Sequence, residues 1–337
     1  MLHETNPFQF FIEEADKARR LDALIALRIS NCSRSFATSL ISKGEIRVQG
    51  QIKKPGYRVK VGDRIDGRIP PPQSMAFKAE PIDLDIIYED DHLIILNKQP
   101  GLVVHPAPGH YSGTLVNGLL YHYPDLKGFG SDLRPGLVHR LDKDTSGVLI
   151  IAKDGATHKH LARQFKSRKI KKEYLALVHG EVTGETGTIL LPVGRHPVDR
   201  KRMSTRSTKG RDAVTKWRVR ERFSKATWLE LDLKTGRTHQ IRVHLAAISH
   251  PVIGDPIYGK RQGVKKQGRE KTASQKIESP IRLMLHAWRI RFSHPITDQV
   301  KSFEAPVPDH MSRLADTLRR SFHQIDPLNK DGGGLER

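Results

Sequence analysis

The chain has 337 residues, enough for two or three domains, and 37 % are hydrophobic, enough for a core beneath a polar surface. Lys and Arg number 58 against 37 Asp and Glu, so the net charge is +21, a balance that points to an anionic partner and says nothing of fold. No apolar run could span a bilayer, and a single cysteine, Cys32, excludes an internal disulfide framework and a Cys-rich zinc site. Met1–Pro7 lacks the basic flank and apolar stretch of a signal peptide, so a cytoplasmic location is expected, with nucleic acid rather than membrane as partner.

Arg19–Leu27 has helical periodicity, and Ser35–Ser42 predicts a second helix that Gly44 would cap. Short strands follow at Ile46–Val48, Tyr57–Val59 and, after a Gly62-Asp63 turn, Arg64–Asp66. Together these make a small α+β module over 13–68. Pro70-Pro71-Pro72-Gln73-Ser74 is stiff and poor in apolar residues, a linker over 69–79.

A larger domain is expected over 80–310. Strand-like runs fall at Asp85–Tyr88, Leu93–Leu96, Val148–Ile151, Tyr174–Val178 and Trp228–Leu233, with helices near 115–121, 155–167 and 239–248. Strands outnumber helices and do not alternate regularly with them. That predicts an α+β fold with a mixed, largely antiparallel sheet, not a doubly wound parallel one. The stretches 195–211 and 260–276 each carry seven basic residues against one acidic and show no periodicity, so they read as phosphate-contacting loops. The tail 325–337, with three consecutive glycines, is expected to be disordered.

The stretch 134–147 holds two Arg, a His, two Asp and a Thr-Ser-Gly turn, and an apolar run follows at once. A polar, Gly-bounded loop feeding a buried strand is a place to display a carboxylate. Asp142 beside Arg140 puts a nucleophile and a cation within reach of one site. A metal centre is not expected: His239 and His244 are five apart, there is no His-Glu-x-x-His, and His105 and His110 lack nearby carboxylates. Gly259-Lys260 is followed by Arg261 rather than Ser or Thr, which disfavours an ATP-driven activity.

Four motifs between about 80 and 305 resemble, in order, those of the RluA family of RNA pseudouridine synthases. They are Leu96–Pro106, the Asp142 loop, Ile170–Gly180, and Thr235–Leu245 followed by Gly254–Gly259. The wording of Val103–His110 resembles the RluD subgroup, which modifies large-subunit ribosomal RNA. The first module is similar to the S4 RNA-binding domain through Arg20-Leu21-Asp22, Ser33-Arg34-Ser35, Ile41–Val48 and Val61-Gly62-Asp63, with Gln49 departing from the usual Asn.

The resemblance implies Asp142 as nucleophile, Arg242 as its charge partner and Tyr174 as the aromatic of the active site. It implies that Arg140 fills the gap that a flipped uridine leaves. Further candidates for RNA contact in the same motifs are His139, Lys98, Lys172, Arg237 and His239, with His139 also read as a support of the loop. Asp144, the rival carboxylate, reads as a loop residue. Isomerisation needs no redox step or group donor, so no cofactor is implied. The expected partner is ribosomal RNA, free or in a pre-ribosomal particle, and the expected state a monomer. Transfer RNA or another ribosomal site is the alternative target, and a non-catalytic ribosome-assembly factor the alternative function. A hydrolase would need a second, water-activating acid, which the sequence does not identify.

Overall fold

The computed structural model describes residues 6–29, 32, 34–69, 78–106, 111–128, 135–199, 202–259 and 282–325. The chain divides into two compact units, Met1–Met75 and Ala76–Arg337.

The first unit holds β1 (Asn6–Phe11), α1 (Leu21–Arg28), α2 (Arg34–Ser42), β2 (Ile46–Val48) and β3 (Arg64–Ile69). Its antiparallel sheet has the order β1-β3-β2. Leu21, Leu24 and Ile25 recur on one face of α1 and pack with Ala37, Leu40 and Ile41 of α2 over Ile46, Val48 and Ile65. Gly44 takes the left-handed conformation after α2, and its N–H returns to the Ile41 carbonyl. Two details differ from the sequence reading. β1 lies upstream of residue 13 and pairs with β3 along its whole length. Tyr57–Val59 is not a strand: it makes one bridge, Arg58 to Arg20, and the main-chain groups of Tyr57 and Val59 are taken by the turn at Lys54 and by the segment 18–21 entering α1. β3 runs through Ile69, and the Pro-rich stretch beyond it lies outside the described residues.

The second unit contains β4 (Ile86–Glu89), β5 (Leu93–Lys98), α3 (Leu115–His122), β6 (Ser146–Ala152), α4 (Gly155–Lys166), β7 (Lys171–His179), β8 (Thr186–Leu190), β9 (Gly194–Arg195), β10 (Met203–Ser204), β11 (Val214–Phe223), β12 (Ala226–Leu233), α5 (Gln240–Ala247), β13 (Leu285–Ser293), β14 (Val300–Glu304) and α6 (Asp309–Ile325). A nine-stranded sheet runs β4-β5-β6-β13-β7-β12-β11-β8, with β14 on β13. The β6–β13 pair is parallel and the other pairs are antiparallel. The sheet is thus mixed and largely antiparallel. β5 and β6 are apolar at consecutive positions because both of their faces are covered. Ile94, Leu96, Leu149 and Ile151 pack with α3, while Leu93, Ile95, Val148 and Ile150 pack with Leu161 and Phe165 of α4.

α6 extends past residue 310 and packs Met311 and Ala315 into the main core. The basic stretch 195–211 is not a featureless loop, since β9 and β10 make a short hairpin at its start. The second basic stretch and the tail beyond Ile325 lie outside the described residues.

Two glycines pin the loop that carries Asp142. Gly136 (φ 67°) gives its carbonyl to the Ala152 N–H, and a Cβ there would meet the Ala152 oxygen at 2.5 Å. Gly147 (φ 109°) lies where β6 meets β13, and a Cβ would come within 2.1 Å of the Ala287 carbonyl oxygen. Only glycine fits that approach. Gly147→Ala is therefore expected to cost at least about 2 kcal/mol of stability, read from the urea midpoint. A midpoint equal to the wild type would show that the two strands do not approach this closely.

Candidate active site

A cavity of about 550 Å³ opens where the 137–145 loop, β7 and the β12–α5 connection converge. The loop doubles back along β6, with Leu137 bridged to Ile151 and Thr145 N–H bonded to the Asp142 carbonyl. This turn presents the Asp142 carboxylate to the cavity with 22 % of its side chain exposed.

Arg242, on the first turn of α5, places Nη1 3.2 Å from Asp142 Oδ2. Its other edge is taken by Asp255: Nε donates to Oδ2 at 2.7 Å and Nη2 to Oδ1 at 2.9 Å. Asp255 is fully buried and also accepts the Ile257 and Tyr258 N–H groups. Burial works against both charges. Arg242 nevertheless keeps its proton more firmly than usual because Asp255 and Asp142 face it. Asp255 likewise stays below the ordinary carboxylate range because Arg242 and two N–H groups hold it.

Tyr174 projects from β7 into the same cavity, and burial, aided by the Asp142 charge, pushes its phenol up. His239 stands one turn before Arg242 on α5. Its Nε2 is 3.8 Å from Asp142 Oδ2 and its Nδ1 is 3.0 Å from the Tyr258 hydroxyl. Burial pushes its pKa down, with the Asp142 charge opposing and Arg242 adding to it. His244, by contrast, is spent on Thr215 and the Leu191 carbonyl, so the two histidines do not converge.

The other expected residues fall into two groups. Arg140 is exposed on the cavity wall, and Lys172 and Arg237 also line it. Burial lowers the Lys172 pKa, opposed by Asp232, with Arg168 and Lys234 adding to the effect. These cations share the cavity wall with one carboxylate, Asp142. Lys98 does not belong with them. It is 2 % exposed, and its Nζ donates to the carbonyls of Gln99, Leu102 and Lys143 at 2.8–2.9 Å. Its three donors are consumed in tying β5 to the Asp142 loop, so no group is left for RNA. Burial pushes this ammonium down to about 8, with Asp144 and Asp142 pulling the other way.

His139 supports the loop from the other side. Its Nε2 accepts the Ile150 N–H at 3.0 Å, and its ring stacks on Phe165 with centroids 4.7 Å apart. Asp255 and Tyr258 carry no assigned role in the sequence reading, although the Gly254–Gly259 motif contains both. The signal was an Asp and a Tyr kept together in a short Pro- and Gly-containing turn.

Comparison with known proteins gives the family. Residues 92–247 match the family model described as RNA pseudouridylate synthase, and 19–65 match the S4 domain. A Bacillus subtilis protein called an uncharacterized RNA pseudouridine synthase is 40 % identical, over 94 % of this chain and 99 % of its own length. Ribosomal large subunit pseudouridine synthase D of Vibrio parahaemolyticus is 39 % identical, over 93 % of this chain and 95 % of its own. A solved structure of human RNA Pseudouridylate Synthase Domain Containing 4 superposes with a TM-score of 0.55 at 25 % identity, covering 70 % of this chain and 93 % of that one. The chain belongs to the RNA pseudouridine synthase family and carries an S4 domain. It is an isomerase that acts on RNA.

Burial pushes the His139 imidazole down to about 3, with Lys172 adding to the effect. The unfolded chain, with an ordinary value near 6.5, therefore binds one proton more between these limits. Stability rises with pH wherever the unfolded state holds more protons, so this residue destabilises the fold as pH falls from about 6.5 toward 3. His139→Gln is expected to flatten that part of the urea-midpoint profile. An unchanged slope would mean that His139 titrates freely.

Proposed function

We propose that the protein converts uridine to pseudouridine in large-subunit ribosomal RNA, with Asp142 as nucleophile. The observation that carries this is Asp142 itself. Among the described residues lining the cavity it is the only carboxylate, set among eight Lys and Arg side chains and facing the same space as Tyr174. Such a site draws in a polyanion and offers one nucleophile to it. A hydrolase would want a second acid at the cavity, and Asp255 is occupied by Arg242 beneath it.

In the reaction the N1–C1′ bond breaks, the uracil turns, a C5–C1′ bond forms, and hydrogen passes from C5 to N1. Product and substrate are isomers, so the chemistry asks for a carboxylate, proton transfer and a means of retaining the base. A uridine within a stack must be flipped to reach Asp142, and Arg140, exposed on the cavity wall, fills the gap it leaves. Tyr174 supplies a ring face for the base and a hydroxyl for proton transfer. The large-subunit target is supported by relatives named ribosomal large subunit pseudouridine synthase D from Neisseria meningitidis and Vibrio, each covering most of this chain. The S4 domain serves as a separate hold on the RNA, and the protein acts as a cytoplasmic monomer on free or pre-ribosomal RNA. Among the described residues no helix is long and apolar enough to cross a membrane.

The test is pseudouridine mapping of ribosomal and transfer RNA from cells with and without the gene. Large-subunit sites are expected to vanish and to return with the wild-type protein but not with Asp142→Asn. In vitro that variant is expected to lose at least about 1,000-fold in rate while RNA affinity stays within about threefold. Retained activity would remove Asp142 from the chemistry, and loss of transfer RNA sites alone would move the target. RNA affinity of the wild type is expected to fall at least about tenfold between 50 and 200 mM salt. A flat response would contradict binding through phosphates.

A further inference from the structure

We propose that His239 donates a hydrogen bond through Nε2–H to a carbonyl oxygen of the flipped uracil, and that Tyr258 fixes the tautomer this requires. The proposal rests on the isomerase reading and assigns within it a group that holds the base while it is detached.

The backbone of His239 is the first sign. It is the N-cap of α5, yet it lies in the left-handed region (φ 54°, ψ 19°) and its side chain makes no cap hydrogen bond. A residue there ordinarily turns its side chain back to the orphan N–H groups of the first turn. A strained conformation that gives up this bond needs another use for the side chain. Here the ring is directed to the cavity, with Nε2 3.8 Å from Asp142 Oδ2. That gap is too long for a direct hydrogen bond, so Nε2 is left for an atom of the substrate lying against Asp142.

Tyr258 decides which nitrogen carries the proton. Its oxygen accepts the Met203 N–H at 2.8 Å and lies 3.0 Å from His239 Nδ1. Tyr258 is only 5 % exposed, so its own proton needs an internal acceptor. Among the described residues His239 Nδ1 is the one acceptor placed for it. The phenol therefore donates to Nδ1, and the imidazole proton sits on Nε2, toward the cavity. The Tyr258 ring is held in turn by guanidinium groups, Arg202 at 5.5 Å and Arg242 at 5.3 Å from its centroid.

The chemistry has a use for such a donor. When N1–C1′ breaks, the bonding pair stays with the uracil, and its charge spreads over N1 and the carbonyl oxygens. Attack of Asp142 on the uracil ring would also load a carbonyl oxygen. A donor preorganised at that oxygen acts where charge develops. A neutral imidazole steadies the charge without surrendering its proton, so the base stays nucleophilic until C5 meets C1′. Burial of His239 and the nearby Arg242 favour the neutral form over Asp142's opposing pull.

The experiment compares His239→Gln, His239→Asn and Tyr258→Phe in single-turnover conversion of an RNA that the wild type converts, with RNA affinity measured alongside. Gln presents an N–H at about the reach of Nε2, whereas Asn presents one at the reach of Nδ1 but tolerates the left-handed backbone better. His239→Asn is expected to lose about 100-fold in rate at unchanged RNA affinity, and His239→Gln to recover most of it. Tyr258→Phe keeps the ring and is expected to lose about tenfold. Asn matching or exceeding Gln would show that only the backbone matters and would overturn the proposal, as would full activity in both. Nitrogen NMR of histidine-labelled wild-type protein reads the tautomer without any variant: a bare Nδ1 and protonated Nε2 are expected, and the reverse overturns it. A wild type that converts no RNA would instead remove the isomerase reading itself.

Discussion

The site depends on one guanidinium. Arg242, with 6 % of its side chain exposed, is shared between Asp255 below and Asp142 above. Only a planar fork can do this, since one edge pairs both oxygens of Asp255 while the remaining nitrogen reaches Asp142. A lysine would offer the charge without the second direction. Breaking a buried pair of this kind typically costs about 3–5 kcal/mol because a bare charge remains. The position of the Asp142 carboxylate is thus set from the turn at Asp255, which the Ile257 and Tyr258 N–H groups hold in place.

The loop that carries Asp142 has no regular structure of its own, so its rigidity is borrowed. Lys98 ties it to β5 through the Lys143 carbonyl, and Gly101 N–H bonds to the same oxygen. His139 fastens it to β6, and the two glycines let it lie close to neighbouring backbone. Each anchor satisfies a backbone group that would otherwise be buried without a partner, a requirement that any loop packed against a sheet must meet. A carboxylate held this way is already oriented before anything enters the cavity.

What could be read from the sequence follows this division. β5, β6, β7 and β12 were legible because covered faces demand apolar runs, and α3, α4 and α5 fell close to their expected bounds. β11 was not anticipated: Lys216, Arg218 and Arg220 alternate along it on the more exposed side, a register shift follows at Val219–Glu221, and together these mask the strand pattern. α6 sits beyond the expected domain end and is recognisable only once its apolar stripe meets the core. Asp142 and Arg242 are 100 positions apart, so no local pattern pairs them, and the family motifs alone brought them together. Lys98 misled for the opposite reason. Its residue type suggests phosphate, but the acceptors that consume it are main-chain oxygens, which leave no mark in the sequence.

The charge distribution resolves a conflict between attraction and chemistry. Cations crowded around a cavity repel one another, and burial has already lowered the Lys172 and Arg237 pKa values, so the empty site is held at some cost. Any polyanion that enters relieves this repulsion, which places the electrostatic gain in binding. The carboxylate sees little of that gain, because its guanidinium partner is supplied by the protein and anchored from beneath by Asp255. Asp142 is therefore positioned by internal bonds, while Arg140 stays exposed on the cavity wall. A strongly basic cavity can in this way hold a single carboxylate at its centre.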